Sequence, residues 1–416
     1  MKEGQRGTVP GWLIRVGIAL GCAILAALAG AGSLSGAAKE AEGGETDAPS
    51  QVQDTEAYDM SQKEKEQWGE VLLDEVDLSQ AQQSLDELLG EERFSLSEAV
   101  GDLLTGKIPW SLDTVKSIAL QAFFGEIEDY RETAVYLLVI IVVSAVFSNF
   151  VSVFDKGQIA DISYYMMYLL MVTLLMKVFS SLSQVAVGAV SSILSFMSAL
   201  LPACLMTIFL SSGSVTAMGF SQLTLWAIAG VQWLMNTLLL PAVQIYMILL
   251  FINQMMKEDY LSKFAELIKT GILWSLKTVM ALLLGMQAIQ AMIAPAVDQL
   301  KTSAINKAVS AIPGIGGAYE TVAETVLGSA VLLKNAVGIA GVGALLFVGL
   351  VPVVKLAFGV LLYRLLGAVA QPVTDKRVAE CIGSVAEGGE LLLKIVIHAG
   401  ILFMVSLALI TMLIRG

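Results

Sequence analysis

The sequence predicts an all-α, polytopic integral membrane protein with a small acidic helical region on its N-terminal side. Hydrophobic residues make up 56% of the 416 residues, charged residues only 15%, and the mean hydropathy is +0.74. Soluble domains are about 45–50% apolar and about 25% charged. Several apolar stretches approach or exceed the ~20 residues with which a helix crosses a bilayer. They are too long and too little alternating for barrel strands, so helices are expected.

Charge divides the chain into two parts. Residues 37–133 contain 24 acidic and 7 basic residues, whereas residues 134–416 contain 12 acidic and 15 basic residues. An acidic hydrophilic segment therefore precedes a slightly basic membrane segment. Nothing in this pattern indicates nucleic-acid binding, which uses a basic surface. The three cysteines, Cys22, Cys204 and Cys381, form neither a CxxC pair nor a zinc-type spacing.

Residues 1–31 have the pattern of a signal peptide. Lys2, Arg6 and Arg15 precede an apolar stretch, and small residues in A-x-A order close it. An uncleaved anchor helix is the alternative, and either interpretation places the following segment outside the cytoplasm. Residues 32–66 are rich in Glu, Gly, Ser, Gln and Asp, so we expect a disordered acidic arm that buries too little apolar surface to fold.

Residues 67–133 are expected to form an extracytoplasmic helical region. The segments "SQAQ" at 79–82 and "SLSE" at 95–98 have the capping-box form, and leucines at helical spacing follow each of them. Gly106 stands where a helix ends. A third helix is expected to end at Phe124. Because three short helices make a thin core, docking on the membrane-embedded part of the chain is favoured.

Residues 134–416 are expected to form a polytopic membrane domain with about six to eight spans. Pro241 either kinks one long helix over residues 219–255 or separates two short ones, because proline removes a helix hydrogen bond. Residues 353–369 are either a continuation of the preceding span or the second half of a hairpin that turns near Pro352. The apolar windows are 134–154, 162–182, 190–210, 219–239, 241–255, 271–293, 336–355 and 391–413.

When Pro241 separates two spans, the positive-inside tendency gives one consistent orientation, and one span fewer would reverse it downstream. With residue 133 outside, the connection over residues 294–335 also lies outside. Three connections, at 261–269, 319–326 and 371–385, have amphipathic patterns typical of helices that lie in the membrane interface or pack on neighbouring spans. The basic residues expected in the cytoplasm are Lys156, Lys257, Lys263, Lys269, Lys376 and Arg377.

The stretch "QPVTDKRVAECIG" at residues 371–383 predicts a short cytoplasmic surface helix. Pro372 interrupts the preceding helix, and Thr374 or Asp375 can cap the new one. The glycine pair 388–389 is expected to end this helix before the last span. The apolar stripe of the helix consists of Val378, Cys381, Ile382 and Val385.

No catalytic, cofactor-binding or metal-ligating residue is predicted. We interpret His398 as a packed or hydrogen-bonded membrane histidine rather than a proton relay, and the glycine-rich "PGIGG" as a turn rather than a phosphate loop. Basic side chains at span ends are explained by snorkelling: Lys177, Lys277 and Lys355. Uncharged polar residues either join helices or line a pore, and joining is preferred: Gln232, Asn236, Gln244, Gln287 and Gln290.

Four segments, in this order, resemble the stage III sporulation protein AE family of endospore-forming Firmicutes. They are "VDLSQAQQSLDELL", "LLTGKIPWSLDTV", "IPGIGGAYETVAETVLGSAVLLKNAVGIAGVGALL" and "QPVTDKRVAECIG". The resemblance covers the signal peptide and the chain from about residue 70 to its end. It implies a non-enzymatic membrane subunit of a channel or secretion-like complex that links mother cell and forespore and is needed for forespore development after engulfment.

The resemblance also implies partners and a location. The partners are the other membrane subunits of the same sporulation complex, with the lipid bilayer as solvent and self-association as a further expectation. The location is the mother-cell membrane around the forespore, and no cofactor is implied. The alternative function is an autonomous small-molecule permease, a class that often has a repeated span pattern. No convincing repeat is visible in this sequence.

Overall fold

The computed structural model describes residues 76–89, 94–110, 112–151, 158–212, 215–256, 259–309, 316–374 and 376–412. Helices and short turns account for all of these residues, and no strand occurs among them. The all-α prediction is therefore confirmed. The predicted signal peptide and acidic arm lie outside the described residues.

The described residues form nine α-helices and one π-helical segment. The helices are α1 (Ser79–Leu89), α2 (Leu96–Leu104), α3 (Leu112–Val151), α4 (Gln158–Ser212), α5 (Val215–Leu234), α6 (Leu240–Met255), α7 (Ser262–Val309), α8 (Gly316–Ala370) and α9 (Lys376–Met412). The π-helical segment Met235–Leu239 joins α5 directly to α6.

Five described stretches are long and apolar enough to cross a membrane, which is the composition of a multi-pass membrane protein. They are Tyr165–Ser211, Trp226–Met255, Ser262–Gln290, Gly328–Ala370 and Lys376–Leu409, and a shorter apolar stretch, Ala134–Val143, lies within α3. The sequence-based windows are more numerous because two pairs of them share continuous helical segments. Windows 162–182 and 190–210 lie on α4, and windows 219–239 and 241–255 lie on α5 and α6.

Neither Pro241 nor Pro352 ends its helical segment, so the continuous alternative holds at both. The π-helical turn immediately before Pro241 accommodates the missing hydrogen bond, so the chain continues from α5 into α6 without a loop. Pro352 lies inside the unbroken α8. The hairpin alternative at Pro352 is therefore wrong. Packing against neighbouring helices compensates for such interruptions inside a membrane bundle.

The last helix differs from its prediction at the glycine pair 388–389. Helix α9 runs through these glycines to Met412, so the predicted short surface helix is the first part of one 37-residue helix. Its apolar stripe is buried, so the segment packs on neighbouring helices, which was one of the two predicted alternatives: Val378, Cys381, Ile382 and Val385. The hydroxyl of Thr374 donates to the carbonyl of Ala370 (2.9 Å) and so closes the end of α8. Asp375 lies outside the described residues.

Helix α9 packs antiparallel to α8 and parallel to α4. Gly338 of α8 lies against Thr411 of α9, and Gly367 lies against Gly383, at opposite ends of the pair. Leu200 of α4 reaches Gly341, where it meets Leu407 of α9, while Leu182 lies near Gly389. Of the apolar window of α9, 72% is buried inside the protein, so α9 is the central helix of the bundle.

One end of the bundle holds the 371–374 turn, and we call it the turn end. Here the hydroxyl of Tyr168 on α4 donates to the carbonyl of Phe251 on α6 (3.0 Å) and lies 2.8 Å from the Cys381 sulfur on α9. The amphipathic segment 261–269 forms the connection and first turns leading into α7 at the same end. The segments predicted to share one side of the membrane thus lie together.

Helices α1 and α2 dock on the bundle, as the thin predicted core indicated. The Gln82 amide donates to the carbonyl of Phe94 (3.1 Å) and accepts from the N–H of Leu96 (2.6 Å), which ties α1 to the start of α2. The Phe94 ring packs on Phe347 of α8, with centroids 5.4 Å apart. The indole of Trp110 lies over Gly343, because a glycine there leaves room for the ring.

The two predicted capping boxes have different outcomes. The Ser95 hydroxyl accepts from the N–H of Glu98 (3.2 Å) and caps α2 as expected. The box at residues 79–82 does not form, because Gln82 is used between helices. Asp77 accepts from the N–H of Ser79 (3.0 Å) and from its hydroxyl. These hydrogen bonds hold the pKa of Asp77 below its usual value.

Helix α3 is longer than predicted. It begins at Leu112 and passes through Phe124, the expected end of the third short helix, to reach Val151. The Phe123 ring packs edge-on against Phe358 of α8 (centroids 5.1 Å apart), so the first part of α3 lies along the bundle. No break separates the predicted extracytoplasmic region from the membrane domain at residue 133, because α3 is continuous there.

A glycine substitution tests the packing around α9. A Cβ at Gly388 would lie 2.3 Å from the Met247 sulfur and 2.8 Å from the Phe179 ring, whereas a Cβ at Gly383 meets nothing within 4 Å. Alanine gains about 1 kcal/mol of helix propensity at either site, and overpacking costs about 1–3 kcal/mol. We expect Gly388→Ala to be less stable than Gly383→Ala by about that overpacking cost.

Thermal unfolding of the purified protein in detergent measures this difference. A thiol-reactive dye reports unfolding because Cys204 and Cys381 are both buried in the folded protein. Equal melting temperatures for the two variants would show that the three helices do not meet closely at Gly388.

Candidate functional site: a polar stripe along α9

Helix α9 is buried on every side except one over its last two-thirds. Between Glu387 and Leu409, the partly exposed positions recur every three or four residues, so they share one face. The first four are polar and the others apolar. This set, which we call the α9 stripe, consists of Glu387, Glu390, Lys394, His398, Ile401, Val405, Ala408 and Leu409.

Glu387 connects three helices at the start of the stripe. Its carboxylate accepts a hydrogen bond from the hydroxyl of Tyr246 on α6 (2.9 Å) and pairs with the ammonium of Lys269 on α7 (3.1 Å). The same ammonium lies 5.8 Å from the centre of the Tyr246 ring, within the range of a cation–π contact. One carboxylate therefore fixes α6 and α7 against α9.

Glu390 forms the second ion pair of the stripe, with Arg364 of α8. The Glu390 side chain is only 13% exposed, whereas that of Arg364 is 48% exposed. A carboxylate buried to this extent needs a paired cation, because removal from water is costly for an unpaired charge. The Arg364 guanidinium supplies that positive charge, and its own side chain remains partly exposed at the protein surface.

Lys394 and His398 continue the polar part of the stripe, each about one helical turn after the polar residue before it. Lys394 lies in the electrostatic field of Lys269, Arg364 and Glu387. The Nδ1 atom of His398 is 2.7 Å from the carbonyl oxygen of Lys394, which is a hydrogen bond to the preceding turn of its own helix. This contact agrees with the interpretation of His398 as a hydrogen-bonded membrane histidine.

Two of the predicted amides join helices. The Gln244 amide donates to the hydroxyl of Ser183 (3.1 Å) and links α6 to α4. Gln290 accepts from the hydroxyl of Thr224 (3.4 Å) and links α7 to α5. The structure places neither amide on the α9 stripe. The amide oxygens of Asn236 and Gln287 are buried without a hydrogen-bond partner.

The three lysines predicted to snorkel lie away from the stripe. The burial of a fourth lysine, Lys334, is not predicted by the sequence. Lys177 and Lys277 are exposed, and Lys355 is partly exposed. Lys334 of α8 is 1% exposed, which makes it the one fully buried charged side chain among the described residues. Its position two residues before a predicted span resembled that of an ordinary flanking lysine, so nothing in the sequence marked its burial.

The stripe itself was visible in the sequence but was not recognised. The polar residues recur at intervals of three, four and four within an otherwise apolar segment, which indicates one helical face. The predicted helix end at residues 388–389 concealed this spacing, because it assigned Glu387 to one element and His398 to another.

The chemistry available at the stripe is electrostatic. Its carboxylates are paired with cations from α7 and α8, which is an arrangement that positions helices and presents charge. Among the residues with described placement, no group of three or more His, Cys, Asp or Glu side chains could hold a metal ion. The Cys381 thiol is buried against Tyr168, so it is not presented at the surface.

Comparison with known proteins identifies the family. The family model described as stage III sporulation protein AE matches residues 94–413. The chain belongs to this family. The matched segment begins just before α2 and includes the whole α9 stripe, whereas α1 precedes it. The resemblance found in the sequence is thereby confirmed. The family assignment implies a role in sporulation for this membrane protein.

A curated relative agrees with this assignment. The stage III sporulation protein AE of Bacillus subtilis (strain 168) is 24% identical over 259 residues, which are 62% of this chain and 65% of that protein. The aligned part is thus slightly less than two-thirds of the length of the relative. No solved structure matches the chain.

Proposed function

We propose that this member of the stage III sporulation protein AE family is a non-enzymatic subunit of a channel or secretion-like membrane complex. The complex links the mother cell to the forespore and sustains forespore development after engulfment. The protein lies in the mother-cell membrane around the forespore, and its partners are other membrane subunits of that complex. The family match over residues 94–413 is the observation that carries this proposal.

The dimensions of the helices support a role in a larger assembly. Helices α4 and α8 each contain 55 residues, which corresponds to about 80 Å of helix at 1.5 Å per residue. The hydrocarbon core of a bilayer is only about 30 Å thick. Helices of this length extend well beyond a single crossing, and the parts outside the bilayer provide surface on which other subunits can pack.

The charge distribution supports the proposed orientation. Residues 76–110, whose helices α1 and α2 dock towards the end opposite the turn end, contain seven acidic residues and two basic residues. Exposed basic residues of the turn end are Lys263 and Lys376. Because basic segments are retained in the cytoplasm, the proposal places the turn end in the cytoplasm and α1 and α2 outside it.

A clean deletion of the gene tests the sporulation role. We expect cells without the protein to complete engulfment and then fail to express late forespore genes, because the forespore is no longer sustained. Fluorescent reporters of late forespore promoters and counts of heat-resistant spores provide the measurement. A wild-type copy at another locus should restore both, as should the Gly383→Ala copy, whose substitution meets no neighbour. Normal spore counts from the deletion strain would refute the proposed role.

The orientation has its own test, which uses two exposed lysines as cysteine sites. The Lys376 side chain is 89% exposed at the turn end, and Lys107 is exposed in the turn after α2. In a variant without Cys22, Cys204 and Cys381, expressed in vegetative cells, a membrane-impermeant maleimide should label Lys107→Cys in intact cells. It should label Lys376→Cys only after permeabilisation. The reverse pattern would show that the orientation is inverted.

A further inference from the structure

The polar half of the α9 stripe extends into the interior of the bundle. Glu387 lies 11 residues from Lys376 at the turn end, and His398 follows after 11 more, each step being about 16 Å along the helix axis. All four polar residues lie within the candidate span Lys376–Leu409. The two cations that pair with them, Lys269 and Arg364, belong to the candidate spans Ser262–Gln290 and Gly328–Ala370.

Lipid is a poor environment for this face. A charged side chain at the centre of a bilayer costs at least about 2.5–3.5 kcal/mol, and this cluster contains two carboxylates and three cations. The cluster remains partly open to its surroundings even though both of its carboxylates are paired with cations. Exposed apolar side chains occur at Trp226, Trp274 and Leu282, and also beside Arg364 on α8, at Leu361 and Leu365.

A protein partner is also a poor match for this face. Charged residues are depleted from the buried cores of protein–protein interfaces. Glu387 and Glu390 already have their cations within this chain, so an added subunit would have to bury charges that gain no new partner. Water, in contrast, solvates the exposed parts of these ion pairs without further cost.

We infer that the stripe from Glu387 to His398 lines a water-filled vestibule that opens at the turn end. Helices α7 and α8 form its walls through Lys269 and Arg364. The apolar residues Ile401 and Val405 continue the same face and close the inner end. The vestibule admits water and small polar solutes to about three-fifths of the length of α9. Its role as the mouth of a conducting path rests on the proposed channel function, whereas its existence does not.

Spin labels at three cysteine sites distinguish water, lipid and protein around the stripe. The sites are His398→Cys on the stripe, Ala399→Cys beside it on the buried face, and Leu282→Cys on α7, whose side chain is 65% exposed and apolar. Each is introduced into the full-length protein without its native cysteines and reconstituted in bilayers. Collision with a water-soluble nickel chelate reports water, and collision with oxygen reports lipid.

The inference predicts that the His398→Cys label collides more with nickel than with oxygen, and that the Leu282→Cys label shows the opposite preference. The Ala399→Cys site should be protected from both reagents. If His398→Cys yields no folded protein, Lys394→Cys is the second stripe position, with the same expectation. A stripe label that behaves like the one at Leu282 would show that the face meets lipid, and one that behaves like Ala399 would show that it is covered. Either result overturns the vestibule.

The outcome is separable from that of the proposed function. The spin-label measurement needs neither sporulation nor a partner subunit. If the stripe is accessible to water but the deletion strain sporulates normally, the channel role is refuted and the vestibule is supported. If the stripe faces lipid or is covered by protein and the deletion strain fails to sporulate, the vestibule is refuted and the channel role is supported.

Discussion

The close approach of α4, α6 and α8 to α9 is the constraint on which the rest of the structure depends. Helices in a membrane gain no hydrophobic energy by leaving lipid, so their association relies on tight packing. Glycines provide it here: Gly388 admits Met247 and Phe179 to the surface of α9, and Gly341 of α8 admits Leu407. Because its neighbours pack so closely, α9 is enclosed on all sides except the stripe that begins at Glu387. The same packing gives the paired charges of that stripe their fixed positions.

The sequence predicted those features that depend on short stretches of chain. Composition indicated membrane helices, the Ser95 cap forms, and the apolar stripe that includes Val378 is buried. Predictions failed where neighbours override a local signal. The glycine pair 388–389 predicts a helix end, but in the structure it allows close helix contact, and Pro352 lies inside a continuous helix. The polar spacing from Glu387 to His398 was readable, yet its cations lie on α7 and α8, more than twenty residues away in sequence.

Several polar contacts in this structure join one helix to another. Ion pairs from Glu387 and Glu390 join α9 to both α7 and α8, and amides such as Gln244 join further helices. Helices of 55 residues exceed the thickness of a bilayer, and the acidic α1 and α2 dock away from the turn end. A subunit of a membrane assembly needs a rigid frame with surface beyond the bilayer. An autonomous permease would instead need a substrate site and the ability to change conformation by itself.

Purification from sporulating cells tests the central claim, membership of a complex, most directly. The full-length protein, tagged at its C-terminus and extracted in mild detergent, would be isolated after engulfment, and its mass and composition measured by light scattering and quantitative mass spectrometry. The account predicts co-purification of other membrane subunits in fixed stoichiometry, and loss of those subunits when a Gly388 substitution disrupts the frame. A monodisperse single subunit that transports a small molecule by itself in proteoliposomes would contradict the account.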